Sequence, residues 1–178
     1  MQTTVVDALT YWKQLGLPTR HVMYDSWWYV KECPPGTPPS QNTWLNCKGA
    51  VELWEPRSDV FPSQFGFDAG LPLALHNRWF GANNTYITQL GFKDSFIVEN
   101  GTDFALPIKE DVFTYLMEKA KTWGMVLYEQ DWLITVWEKM RITKSSVTAA
   151  SNWLQVRAST RPALVAAPPR FAPVRACS

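Results

Sequence analysis

Met125-Val-Leu-Tyr-Glu-Gln-Asp-Trp132 decides how this chain is read. A short apolar run, residues 125–128, stops abruptly at Glu129, Gln130 and Asp131. It follows an amphipathic stretch closed by Gly124, so it reads as a buried parallel strand and not as more helix. Carboxylates at the C-terminal end of such a strand lie where parallel α/β sheets keep their chemistry. Two other segments have the same form. His21-Val-Met-Tyr-Asp-Ser-Trp-Trp-Tyr29 ends near Asp25, and Pro72-Leu-Ala-Leu-His-Asn-Arg-Trp-Phe80 ends in His76 and Arg78. Three apolar strands, each tipped with polar groups and tryptophans, predict a polar ligand held against aromatic walls.

The segments between them are helical. Over residues 108–123, Val112, Phe113, Leu116, Met117, Ala120 and Trp123 form an apolar stripe. Glu110 and Asp111 stand near the positive end of that helix, and Gly124 stops it. Residues 4–15 predict a second helix. Val5, Leu9, Trp12 and Leu15 recur at helical spacing, Thr4 and Asp7 resemble a capping pair, and Gly16 and Pro18 end it. A weaker helix is expected over about 145–156, and Pro62 is placed to open a short one toward Asp68. Residues 32–48, with four prolines, and residues 81–106 read as long connections. Helix and strand thus alternate, which predicts a parallel sheet.

The 178 residues suffice for one domain with a sizeable core. They fall short of a complete (β/α)8 barrel, which needs at least roughly 200. The expected fold is therefore α/β: a partial (β/α)8 TIM barrel of three to four parallel strands with flanking helices, over residues 1–157. The chain opens on a helix where a barrel opens on a strand. Residues 158–178 carry four prolines, six alanines and three arginines with no acidic residue, and read as a disordered tail. A truncated chain is the expectation, through splicing, a frameshift or a gene-model error.

Composition excludes several classes. The net charge is +1, with 17 basic against 16 acidic residues and no basic stripe, so no nucleic-acid partner is expected. No apolar run approaches the roughly 18 residues of a membrane span, and the N-terminus lacks the pattern of a signal peptide. Cys33 and Cys47 flank the proline-rich loop and are placed to close it as a disulfide, while no cysteine or histidine spacing suggests a metal. Asn83-Asn-Thr85 and Asn100-Gly-Thr102 are glycosylation sequons, a lean toward the secretory route. No GxGxxG, GxxxxGK or GxSxG occurs, and no cofactor is expected.

Ten tryptophans are a large excess, fit either for a core or for a stacking surface. Asp25, in Tyr24-Asp-Ser-Trp-Trp28, can accept hydrogen bonds from sugar hydroxyls or cap the following loop. Glu129 and Asp131 lie two apart. Either can serve as a nucleophile in glycoside chemistry or pair with Arg78. His76 can donate to a hydroxyl, orient a carboxylate or act as a structural hydrogen bonder.

These residues resemble a known family. Tyr24-Asp-Ser-Trp-Trp-Tyr29 is similar to the strand-two Asp-Asp-Gly-Trp element of melibiase-type α-galactosidases and raffinose-synthase-like glycosidases. Trp54-Glu-Pro-Arg-Ser-Asp-Val-Phe-Pro62 resembles their segment before strand three, and Leu73-Ala-Leu-His-Asn-Arg-Trp-Phe80 their strand three. Val126-Leu-Tyr-Glu-Gln-Asp-Trp132 resembles the strand-four element that carries the nucleophile. The resemblance spans about residues 5–155. It implies a glycosidase, a hydrolase of carbohydrate metabolism, with Asp131 as nucleophile and Asp25 as a sugar-hydroxyl ligand. Trp27, Trp54 and Trp79 become subsite walls. Tyr24 stands where the family has a second Asp, Ser26 replaces a Gly, and Ser63-Gln64 replace Gly-Gly, so galactose is not implied. The family's acid/base Asp has no counterpart here. The expected function is a fragment of a retaining glycoside hydrolase, inactive alone. The alternative is a non-catalytic carbohydrate-binding or vestigial module.

Overall fold

The computed structural model describes residues 2–33, 36–38, 47, 49–62 and 70–159. Helix α1 (Gln2–Gln14) leads to β1 (Val22–Tyr24), and after a turn the chain enters β2 (Tyr29–Lys31). Then come β3 (Val51–Pro56), β4 (Leu73–Asn77), β5 (Phe80–Gly81) and the short helix α2 (Thr85–Thr88). A 3-10 turn (Lys93–Ser95) precedes β6 (Phe96–Val98) and β7 (Phe104–Pro107). Helix α3 (Glu110–Thr122) returns the chain to β8 (Met125–Gln130), and α4 (Leu133–Lys139), α5 (Arg141–Ser145) and α6 (Ala149–Ser159) follow.

The three strands read from the sequence pair in parallel, in the order β1-β4-β8. Tyr24 is in register with Leu75, and Leu75 with Tyr128. A second, mixed sheet in the order β2-β3-β5-β7-β6 accompanies them. The chain passes from the first sheet to the second twice, between Tyr24 and Tyr29 and between Asn77 and Phe80. Each crossing lies at a polar strand tip. The segments expected as single strands over 21–29 and 72–80 are therefore broken there, and their ends join a different sheet. The connection expected over 81–106 holds β6 and most of β7, which join that sheet, and the short helix α2. The architecture is mixed α/β with a three-stranded parallel sheet, and no barrel closes among the described residues.

The main core lies against this sheet. Tyr24, Trp28, Trp54, Leu73 and Leu75 pack with Val112, Phe113, Leu116 and Ala120 of α3. Each such side chain contributes roughly 1.5–3 kcal/mol on burial. The stripe predicted for α3 is thus the one that is buried, with Trp123 at its C-terminal cap packed edge-on against Trp28. Helix α1 differs from expectation. It begins at Gln2, so Thr4 lies inside it and caps nothing. Val5 touches the core, while Tyr11, Trp12 and Leu15 are exposed. A second core of Leu106, Val136, Met140 and Trp153 lies under the last three helices. The helix expected over 145–156 starts at Ala149 and runs to Ser159, past the expected start of the tail.

Cys33 and Cys47 form a disulfide. Asn83 and Asn100 of the two sequons are exposed in turns. No described helix is long and apolar enough to cross a membrane. The short helix expected after Pro62, Ser63-Gln64 and the tail from residue 160 lie outside the described residues.

Candidate functional site

His76 occupies the fourth position of β4, whose five residues are all buried. Its backbone carbonyl is turned to the core, where it accepts the indole N–H of Trp54 at 2.9 Å and that of Trp28 at 3.3 Å. The two lone pairs are thus occupied by the two largest buried side chains, and the strand end is pinned. The ring is held separately. Nδ1 faces the Tyr29 hydroxyl at 3.2 Å, and the two rings lie nearly parallel. Burial pushes the Tyr29 phenol well above its ordinary range, so the hydroxyl keeps its proton. The two carboxylates beside Nε2 favour the tautomer with its hydrogen there, which leaves Nδ1 to accept from the phenol.

That Nε2 faces two carboxylates. Asp131 Oδ2 lies at 3.4 Å and Asp25 Oδ1 at 3.8 Å. The side chains of Asp25 and Asp131 are 67% and 57% exposed, whereas that of His76 is 3% exposed. A buried donor thus presents two accessible acceptors to solvent. Asp25 also accepts from the backbone N–H of Ser26, and Asp131 Oδ1 accepts the Trp132 N–H at 2.7 Å. Asp25 caps its loop and stays exposed, and the His76 ring bonds Tyr29 and faces both carboxylates.

A polar lattice fixes the Asp131 backbone. Asp131 N–H donates to the Asn77 carbonyl at 2.9 Å. Asn77 Nδ2 donates to the Tyr128 hydroxyl at 2.7 Å, and that hydroxyl donates to Gln130 Oε1 at 2.6 Å. Gln130 Nε2 in turn reaches the carbonyls of Arg78 and Asp131, each at 3.1 Å. The residue after Asp131, Trp132, has a φ of 60°, the single positive φ outside glycine among the described residues. A bulky aromatic there holds the chain in a strained turn, which costs of order 1–3 kcal/mol.

Of the expected site residues, Asp25, His76 and Asp131 come together. Arg78 sits beside them with its guanidinium carbon 3.8 Å from the Trp79 ring centroid and 4.9 Å from that of Trp132. It forms no ion pair with Glu129 or Asp131, so the pairing alternative is not realised. Burial draws its pKa down, opposed by the nearby Tyr29, Asp131 and Asp25. Glu129 is the register partner of His76, but its Oε2 is enclosed without a hydrogen-bond partner. Trp79 is half-buried, with Phe104 stacked on its ring and the Arg78 guanidinium also lying over it, so its faces are taken within the protein. Trp27, half-buried, stacks on Phe61 and leans on Tyr24. Trp54 is fully buried, so it is a core prop of His76 and not a wall. Its ring packs on Tyr128, as edge-on pairs in cores do.

Sequence reasoning overlooked Tyr29, Asn77, Tyr128, Gln130 and Trp132. Tyr29, Tyr128 and Gln130 share the tip motifs with Asp25 and Asp131, which was the available signal. Asn77 carried only its place beside His76. Among the described residues no cluster of His, Cys, Asp and Glu is fit to hold a metal. The site can accept hydrogen bonds from hydroxyls through two exposed carboxylates. No protein-family model matches the chain, and neither a curated protein nor a solved structure matches it at a significant level.

Proposed function

We propose that the Asp25–His76–Asp131 cluster is a carbohydrate site of retaining glycoside-hydrolase type, built on a partial (β/α)8 frame and acting on O-glycosidic bonds. The observation that carries this reading is the convergence of two exposed carboxylates on one buried imidazole N–H at the C-terminal ends of three parallel strands. Asp131 is the nucleophile. Its carboxylate attacks the anomeric carbon, the glycosidic C–O bond breaks, and the leaving oxygen takes the bonding pair. His76 Nε2–H holds Asp131 in position, and Asp25 accepts from ring hydroxyls. The partial frame is supported by the face that bears His76. Two residues earlier in each strand, Met23, Ala74 and Leu127 form a register row, and Met23 and Leu127 are 48% and 55% exposed. Such an apolar row below a polar one is the inner wall expected of barrel strands.

With Asp25 assigned to hydroxyls, no residue of the cluster is left as general acid, so the chain binds sugar and turns it over slowly. A second reading, a non-catalytic carbohydrate-binding module, is favoured by the engagement of both Asp131 oxygens, one by Trp132 and one by His76. Incubation with activated 2-fluoroglycosyl fluorides separates the two. A glycosyl adduct mapped to Asp131 by peptide mass spectrometry, and absent in Asp131→Asn, supports the nucleophile. Sugar binding without any adduct supports the binding module. An adduct at another residue, or no sugar binding, rejects the assignment.

A further inference from the structure

Arg78 is 6% exposed. Its guanidinium has no acceptor among the described residues, and Nε is enclosed without one. The rings of Trp79 and Trp132, whose own centroids are 5.2 Å apart, lie side by side against it. A buried guanidinium is normally paired, because its N–H groups lose water on burial and need acceptors. Here the protein supplies π faces and no acceptor. The backbone on either side is fixed. Arg78 N–H donates to Asn77 Oδ1 at 2.8 Å, and the Arg78 carbonyl accepts from Gln130. The fork is therefore held in place and unfilled, next to the cluster of Asp25, His76 and Asp131.

A planar fork held against indole rings and without an acceptor of its own selects a planar acceptor that meets it edge-on with two oxygens. That is a carboxylate. Asp25 and Asp131 repel a free anion, so the carboxylate must arrive on a ring whose hydroxyls those aspartates hold. Resting on the carbohydrate reading of this site, we propose that Arg78 recognises the carboxylate of an acidic sugar and that the ligand class is the uronides.

The test titrates the full chain with glucuronate and galacturonate against glucose and galactose, with acetate as the ring-free control. Wild type should bind the uronates about ten- to hundredfold more tightly than the neutral sugars. Arg78→Lys keeps the charge but not the fork, and Arg78→Gln keeps a planar amide without charge; both should lose the preference, while Asp25→Asn should weaken both kinds of sugar. Equal binding of uronate and neutral sugar, or a preference retained in Arg78→Lys, overturns the proposal. Neutral sugars that bind in an Asp25-dependent way without a uronate preference reject the uronide and leave the carbohydrate site standing. Arg78-dependent binding of acetate with no binding of any sugar rejects the carbohydrate site instead.

Discussion

The indole of Trp54 and the imidazole of His76 belong to one mechanical unit: the Trp54 N–H is bonded at 2.9 Å to the carbonyl of the residue whose ring faces both carboxylates. Trp54→Phe keeps an aromatic ring and deletes that donor. The carbonyl then retains the longer Trp28 bond alone. A stability loss of about 2–3 kcal/mol is expected from the lost bond and the volume deficit together. Urea denaturation checks it, and a change below about 0.5 kcal/mol would show that Trp54 does not support the strand end.

Alkaline pH should unfold the protein through its buried phenols. Burial raises both Tyr29 and Tyr86 well above their ordinary value of 10.0. The folded state then holds protons that the unfolded state releases, so this contribution is complete below pH 10 and declines as pH rises above it. Tyr29→Phe should flatten the decline. Melting temperatures between pH 9 and 11 for the two proteins provide the comparison, and parallel curves would contradict it.

Arg78→Met should raise the melting temperature. It removes a buried charge that no protein acceptor satisfies and keeps an apolar stem against Trp79 and Trp132. A gain of about 1–3 kcal/mol is the expectation for replacing such a charge, offset in part by the lost cation–π contacts. Calorimetry decides. A clear loss of stability would mean that the guanidinium is satisfied in the folded protein.

Reduction of the Cys33–Cys47 bridge should cost about 3 kcal/mol, the chain-entropy value for a loop of this length. The bridge closes the connection between β2 and β3, whose pairing begins at Lys31 and Val51. Urea curves with and without reductant measure the effect. Unchanged midpoints would show that the loop is already confined when open.

The parallel strands were legible because each is an apolar run that ends in polar residues, and α3 because its stripe is continuous. The second sheet was not. Its β5 has two residues and its β6 three, too few for a period, and the partners of β5 lie more than twenty residues away in sequence. The breaks after Tyr24 and Asn77 were hidden because apolar aromatic residues continue past them. Trp54 was read as a wall because a tryptophan beside charges looks the same in sequence whether its ring faces a ligand or a core. Asp25, His76 and Asp131 were found by their places at strand ends, but Tyr29, which orients the imidazole, became visible only when the second sheet brought it back over β4.

The strained turn at Trp132 marks a seam. On one side lies the core of α3 and the parallel sheet, and on the other the smaller core of Leu106, Val136, Met140 and Trp153. The carboxylate of Asp131 and the guanidinium of Arg78 lie against this turn. Sub-global opening is expected to start there, with the last three helices exchanging their amide protons as one cooperative block before the sheet does. Tension held at Trp132 favours that release, so a ligand that bridges Asp131 and Arg78 would clasp the two blocks together and slow the exchange of both.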